Sequence, residues 1–293
     1  MAKTKQPKAK HYTKRDYAAF AYLAPWIIGM LVLQLYPFLS SLVYSFCNYK
    51  ITGTPQFCGL NNYIQLFTLD NEFWNSLKVT LAYTLYTVPG KLVMALAVAV
   101  FLNRNIKGIN LIRTLYYIPS LFGGSVAVAL LWKIMFMDTG VINSILTTLH
   151  LPSVQWLGDP GQALRTICMM EIWQFGSSMV MFLAALKNVP SDLYEAAEID
   201  GASKPKMFFS ITVPLITPVI FYNLVTQLCQ AFQEFNGPFI ITQGGPRNAT
   251  MLISMLIYNN AFKSYEMGMA SAQAWLLFLI VMTFTAVAFI SQK

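Results

Sequence analysis

Polar and acidic side chains recur at helical spacing within two long apolar segments of the chain. They are Glu171, Gln174 and Ser178 in the first segment and Asn223, Gln227, Gln230 and Glu234 in the second. At about 100° per residue, each set stays within an arc of about 60° of its helix. Amide and carboxyl groups can hydrogen-bond hydroxyl groups of a polar solute such as a sugar, so the stripes predict a substrate path. The alternative is that they only join helices, as Gln and Ser do in membranes.

The composition around these stripes is that of a membrane protein. Of 293 residues, 11% are charged and 56% are apolar, against about 25% charged in typical soluble domains. This is too little charge to coat a soluble globule. The 21 Phe and 15 Tyr exclude a disordered chain, and no glycine or heptad period supports a collagen or coiled coil.

Six stretches are long and apolar enough to predict membrane-spanning helices, each needing about 20 residues. The predicted spans are 18–46, 74–102, 112–137, 164–188, 211–235 and 268–291. Two of them contain charges well inside, Lys91 and Glu171. The predicted fold is therefore an all-α integral membrane protein, with a basic tail over 1–16 and a single membrane domain over 17–293.

The distribution of basic residues predicts the orientation of the chain. Most of the 20 Lys and Arg residues fall in the N-terminal tail and in the segments on the same side of the membrane. Because Lys and Arg accumulate in short cytoplasmic segments, both termini are predicted to lie inside. The net charge of +8 then faces anionic lipid headgroups and is not a signal for nucleic acid.

Few residues of this chain suit catalysis or metal binding. His11 and His150 are the only histidines, and the four cysteines form no C-x-x-C pair. Cys47 and Cys58 share the first outer loop and could bridge, although two unpaired thiols are favoured. No G-x-x-x-x-G-K-S/T loop is present to hold nucleotide phosphates. We therefore predict no catalytic residue and no metal site.

The loop 189–210 has the pattern of two short helices joined by a bend. Ser191 or Asp192 can cap the first helix, with an acid three residues after Asp192 in the manner of a capping box. Gly201 can end that helix in a left-handed conformation. Pro205 suits the first turn of the second helix. The loop is thus predicted to be a helical hairpin at the inner membrane face.

The first of these helices has a small apolar face formed by Leu193, Ala196 and Ala197. A helix that rests on lipid favours bulky apolar and cationic residues, whereas this one offers alanines and acids. Docking to a soluble partner is therefore the favoured interpretation over lipid anchoring.

The same loop resembles the EAA loop of ABC importer permeases. The matching positions are Glu195, Ala196, Ala197, Gly201, Ile211 and Pro214, with Val213 where the family usually has Leu. Segment 57–63 resembles the F-x-G-L-x-N-Y signature, and segment 242–246 resembles the G-G-P element of the carbohydrate subgroup of the family. The resemblance extends over nearly the whole chain.

This resemblance implies a type I importer permease that forms half of a heterodimer. Its partners would be a second permease subunit, two ATPase subunits at the cytoplasmic face and an extracytoplasmic sugar-binding protein. ATP and Mg²⁺ would be bound by the ATPases, and this chain would bind no cofactor. Glu195 would make an ionic or capping contact with the ATPase, Ala196 and Ala197 would enter its cleft, Gly201 would form the bend, and Asp200 would extend the contact.

Two other classes of protein fit the sequence less well. An ion- or proton-coupled secondary transporter could use Glu171, Glu234 or Lys91 as relay groups, but it gives no reason for the loop. A membrane enzyme would need clustered His, Cys or paired carboxylates at one membrane face, which the sequence does not offer. The predicted location is the cell membrane, with several passes.

Overall fold

The computed structural model describes residues 14–104 and 107–291, and most of them are helical. Helices are favoured because they satisfy every backbone polar group internally where no water is present. The first half contains α1 (Lys14–Gly29), α2 (Tyr36–Ser45), α3 (Asn61–Thr68), α4 (Asn71–Leu102), α5 (Ile109–Leu121), α6 (Val126–Phe136) and α7 (Val141–Thr148). The second half contains α8 (Pro160–Trp173), α9 (Gly176–Lys187), α10 (Ser191–Ile199), α11 (Lys204–Met207), α12 (Val213–Phe232), α13 (Asn236–Ile241), α14 (Ile253–Tyr258) and α15 (Met267–Ser291).

Two short π-helical turns, Met30–Leu35 and Phe208–Thr212, join consecutive α-helices without a break. A third, Asn259–Lys263, extends α14 and ends before α15 begins. Other helices begin at side-chain caps: the carboxylate of Asp70 accepts the N–H of Phe73 at 2.9 Å at the start of α4. Such caps satisfy backbone donors that the helix itself leaves free.

A short antiparallel hairpin lies between α2 and α3, with β1 (Cys47–Asn48) paired to β2 (Gln56–Phe57). The amide of Asn62 holds α3 against it by donating to the carbonyls of Ser45 at 2.9 Å and of Cys47 at 3.0 Å. Asn62, in segment 57–63, therefore fixes α3 to the end of the first span.

Five helical stretches are long and apolar enough to cross a bilayer. They are Tyr22–Ser45, Asn71–Leu102, Val126–Thr148, Lys204–Ile241 and Met267–Ile290. The pair α8 and α9, bent by 43°, makes a sixth if it is counted as one span. Several passes are thus confirmed. The number six depends on the bent pair, and the inward orientation of both termini stays a prediction.

The third predicted span, 112–137, is not one continuous helix. It is divided into α5 and α6 by the turn 122–125, where Gly124 has a left-handed φ of 71°. α5 packs against α9, whereas α6 packs against α13. The prediction of one helix over 112–137 was wrong, because each half follows a different neighbour, and the candidate span here is Val126–Thr148. The fifth span also differs from 211–235, since its helix begins before 211 and α12 ends at Phe232.

The long helix α4 is the centre of the bundle and packs against α8, α9 and α12. Its Ala95 and Ala99 are fully buried, and such small residues let helix backbones approach closely in a membrane. A Cβ at Gly90 would lie 2.6 Å from the side chain of Ile172 on α8. The position of α4 is therefore fixed on both sides by small residues.

Candidate functional site

The turn between α5 and α6 lies close to the bend between α8 and α9. A Cβ at Gly176, the first residue of α9, would lie 2.7 Å from the hydroxyl of Ser120 and 2.8 Å from the carbonyl of Tyr116 on α5. A Cβ at Gly123 would lie 3.0 Å from the amide oxygen of Gln174. Glycine is thus required at 176, where backbone atoms lie close, whereas at 123 the Gln174 side chain could shift. The broken helices leave room beside these contacts.

That room is a polar cleft of about 680 Å³ between α4, α8, α9, α12 and the turn after α5. This size is within the range of roughly 300–1,000 Å³ usual for small-molecule sites. Its walls are formed by Lys91, Ser120, Gly123, Gly124, Glu171, Gln174, Ser177, Val225, Thr226, Cys229, Gln230, Gln233 and Glu234. Four of the seven stripe residues predicted from the sequence are among them.

An ion pair crosses one wall of the cleft. The ammonium of Lys91 on α4 lies 2.6 Å from the carboxylate of Glu171 on α8, and their side chains are 7% and 19% exposed. Each charge would be costly inside a membrane without a partner. Sequence reasoning left Lys91 unassigned, although a lone Lys in one span and a lone Glu in another was a signal for pairing.

Glu234 lies at the edge of the cleft and also holds the chain that follows α12. Its carboxylate accepts the N–H of Gly237 at 3.0 Å in the first turn of α13. The hydroxyl of Ser254 donates to the backbone carbonyl of Glu234. This residue therefore holds the start of α13 and also lines the cavity.

The remaining three stripe residues lie in helix contacts and not in the large cleft. Gln227 donates to the hydroxyl of Ser178 at 3.3 Å, joining α12 to α9. Asn223 donates to the carbonyl of Val219 at 2.9 Å within α12. All three predicted side chains are buried. For them the geometry fits the alternative in which polar groups join helices.

The residues of α12 that line the cleft lie on a face of the helix that is rotated from the predicted stripe. Thr226, Gln230 and Gln233 share this wall at i, i+4 and i+7. Sequence reasoning missed Thr226 and Gln233 because it followed a neighbouring set of amides on the same helix. The hydroxyls of Ser120 and Ser177 were also missed. A period count that included Thr and Ser would have found the second set.

The loop 189–210 forms the predicted pair of short helices, α10 and α11. Gly201 has a left-handed φ of 72°, and the N–H of Ala202 returns to the carbonyl of Ala197 at 2.9 Å, which ends α10. The expected capping box is absent. Pro190 precedes α10, no side chain caps its first turn, and the Ser191 hydroxyl lies 3.3 Å from the carboxylate of its neighbour Asp192.

The surface of α10 is open. None of its residues is buried, and Ile199 is 87% exposed. Glu195, Ala196 and Asp200 are exposed, and Ala197 is half-buried. Further along, Ile211 is half-buried and Pro214 is exposed. The motif residues therefore do not form one buried cluster within the chain.

Within the described residues, 14–104 and 107–291, one side-chain hydrogen bond joins α10 to a spanning helix. The hydroxyls of Tyr194 and Thr212 lie 2.6 Å apart. Thr212 is 4% exposed and immediately precedes α12.

Among the described residues, no cluster of His, Cys, Asp and Glu is arranged to hold a metal ion. The thiols of Cys47 and Cys58 are free, as are those of Cys168 and Cys229. The open question of a bridge between Cys47 and Cys58 is therefore answered by two unpaired thiols.

A bundle of apolar helices around a polar cleft, with an exposed helical hairpin, defines a helical membrane protein of the permease class. The comparison with protein families is specific. The chain belongs to the family of binding-protein-dependent transport system inner membrane components, whose model matches residues 70–293. It is therefore a multi-pass component of the inner membrane, and the resemblance to ABC importer permeases is confirmed.

Relatives among characterised sequences cover nearly the full length. YesP of Bacillus subtilis (strain 168), a probable ABC transporter permease protein, is 44% identical over 285 residues, which are 96% of this chain and 92% of YesP. The sulfoquinovosyl glycerol transport system permease protein SmoG of Agrobacterium fabrum (strain C58 / ATCC 33970) is 36% identical, over 92% of this chain and 88% of SmoG.

A solved structure has the same fold. It is a bacterial alginate ABC transporter in complex with an alginate pentasaccharide-bound periplasmic protein, with a TM-score of 0.83 and 24% identity. The match covers 94% of this chain and 93% of the other.

Proposed function

We propose that this chain is one half of a heterodimeric permease in an ATP-driven importer of a sugar or oligosaccharide. The observation that carries the proposal is the polar cleft within an otherwise apolar bundle. Three hydroxyl groups and three amide groups line its walls and suit the hydroxyls of a sugar. The relatives named for starch degradation products and for trehalose and maltose support this substrate class.

The substrate path runs through the cleft. Glu171, Gln174, Gln230 and Glu234 line it and would contact the solute. Lys91 belongs with them through its ion pair. Asn223, Gln227 and Ser178 would act indirectly by holding the helices that carry the walls. Because ATP energy can be coupled only if the solute binds two conformations differently, we expect the cleft to change its access during transport.

Coupling to ATP runs through α10. With both termini inside, α10 lies at the cytoplasmic face, where its exposed Glu195, Ala196 and Asp200 are available to an ATPase subunit. Ala197 would contribute to the same surface, with Gly201 as its bend. Two such ATPases would bind ATP and Mg²⁺, while a sugar-binding protein would deliver the solute at the outer face.

The experiment is to purify the full chain with its genomic neighbours and to reconstitute it in liposomes. A second permease and an ATPase should copurify, and uptake should require binding protein and MgATP. The sugar that the binding protein retains from a mixture identifies the solute. Uptake by this chain alone, driven by an ion gradient, would contradict the proposal and favour a secondary transporter.

A further inference from the structure

The helix α10 is attached to the bundle at three points. Its first end follows α9 through Pro190, and its second end continues through Gly201 into α11. The third is the 2.6 Å hydrogen bond between the hydroxyls of Tyr194 and Thr212. In the part of the chain that the structure describes, no other side-chain hydrogen bond or ion pair connects α10 to a span.

The attachments at the two ends of α10 do little to prevent rotation of the helix. A Cβ at Gly201 would have no atom within 4 Å, so no other part of the chain packs against this position. None of the residues of α10 is buried. A helix held only at its two ends can turn about the line that joins them. A third attachment away from that line removes this freedom, and Tyr194 supplies one from the second turn.

The receiving side of this contact is rigid. Thr212 is 4% exposed, and the nearby Met207 and Ile216 are also buried. Thr212 ends the π-helical turn Phe208–Thr212 and leads directly into α12, whose later turns carry Gln230 on the wall of the cleft. π-helical turns occur frequently at functional sites. A displacement of Thr212 along its helix would therefore reach the cleft.

We propose that Tyr194 and Thr212 are positioning residues, whose hydrogen bond transmits the displacement of α10 to α12. The inference rests on the proposed function, because it assumes that an ATPase moves α10. In the absence of the bond, the ATPase would still bind and hydrolyse ATP, but part of each displacement would be lost as rotation of α10. One net hydrogen bond corresponds to an equilibrium factor of about five, so we expect partial uncoupling.

The test uses the whole importer in lipid nanodiscs and a reporter that the chain already contains. Cys229 lines the cleft. Its reaction rate with N-ethylmaleimide, followed by mass spectrometry of its peptide, is measured in the absence and presence of MgATP with vanadate. For the wild-type importer we expect the rate to change on addition of nucleotide. For Tyr194→Phe we expect that change to shrink about fivefold, while copurification of the ATPase and ATP hydrolysis are retained.

Four further variants separate loss of the bond from general damage to the protein. Thr212→Val should reproduce the loss, and the double variant with Tyr194→Phe should be no worse than either single variant, because both remove the same bond. Thr212→Ser keeps the hydroxyl and should restore the response. Tyr86→Phe is the matched control, since Tyr86 is 52% exposed on α4 and its hydroxyl makes no hydrogen bond in the described residues.

The outcomes are distinct. A full response of Cys229 in Tyr194→Phe, or additive losses in the double variant, would overturn the role of this bond while leaving the importer assignment intact. Loss of ATPase copurification in Tyr194→Phe would also overturn it, because the residue would then belong to the docking surface. If the wild-type chain binds no ATPase, the proposed function fails first.

Discussion

The cleft and the α10 helix differ in how their polar groups are satisfied. Around the cleft, charged groups find partners within the chain: Lys91 pairs with Glu171, and the carboxylate of Glu234 accepts the N–H of Gly237. On α10 the polar and small residues face outward, and Tyr194 alone makes a side-chain bond to a span in the described residues. An unpaired polar group costs free energy in a membrane interior, whereas at an aqueous face water can satisfy it. Partners outside the chain are therefore expected at α10.

This difference predicts two kinds of variant. Substitutions at buried, paired groups of the bundle should change its stability, and those at groups lining the cleft should change transport. Substitutions on α10 should change transport and leave the bundle intact. A variant of a buried, paired group that left thermal stability unchanged, or a variant on α10 that lowered it, would contradict this difference.

The largest effect is expected from Lys91→Met. The substitution leaves Glu171, with a side chain only 19% exposed, without its cation. Breaking a buried pair in this way costs about 3 kcal/mol. We expect a marked fall in the thermal unfolding midpoint of the detergent-purified protein. The double variant Lys91→Met/Glu171→Gln should recover much of the loss. Equal stability of the single variant and wild type would show that the ion pair does not hold α4 to α8.

The next effect concerns the crossing of the broken helices. In Gly176→Ala the new methyl group would lie 2.8 Å from the carbonyl of Tyr116 and 2.9 Å from the Cα of Tyr117. Backbone cannot yield as a side chain does, so α5 and α9 must separate, at a cost of about 2 kcal/mol. Gly29→Ala is the control, since a Cβ there has no atom within 4 Å. Similar thermal stability for the two variants would contradict this account.

The sequence predicted the helical class and the approximate spans, because a bilayer imposes length and apolarity on any helix that crosses it. It did not predict the break at Gly123 and Gly124. Glycine is frequent in membrane helices, so two glycines do not by themselves indicate a turn. The break is determined by α5 packing on α9 while α6 packs on α13, and this information is not local.

For the site, a helical period indicated which side of α12 is polar but not which residues face a cavity. Asn223 and Gln227 are as polar as Gln230, yet they are buried against neighbouring helices. Lys91 was left unassigned because a lysine in a span can also extend to the surface. Its partner lies 80 residues away, and only the packing of α4 on α8 brings the two together.

On α10 the strongest prediction is for Gly201→Val. The left-handed φ of 72° is disfavoured for a β-branched residue by about 1–2 kcal/mol, and no neighbouring atom would clash. The bend should therefore change while the bundle remains folded. We expect uptake of the retained sugar to fall about tenfold with unchanged thermal stability. Gly201→Asn, which tolerates this conformation, should keep most of the uptake. Normal uptake in Gly201→Val would contradict the role of the bend.

The smallest effects separate two glutamines of one helix. Gln227 is 6% exposed and bonded to Ser178, whereas Gln230 is exposed in the cleft. Gln227→Leu should lower the stability by about 0.6 kcal/mol, the average for a hydrogen bond between membrane helices, and leave the choice among sugars unchanged. Gln230→Leu should leave the stability unchanged and alter the relative uptake of competing sugars.

Competition assays in proteoliposomes and thermal unfolding of both variants provide the measurements. If Gln227→Leu changes the choice among sugars as strongly as Gln230→Leu does, the buried glutamine also reaches the solute. Such a result would extend the substrate path along the whole polar side of α12, because a group that only joins helices has no means to distinguish one sugar from another at a cleft that it does not line.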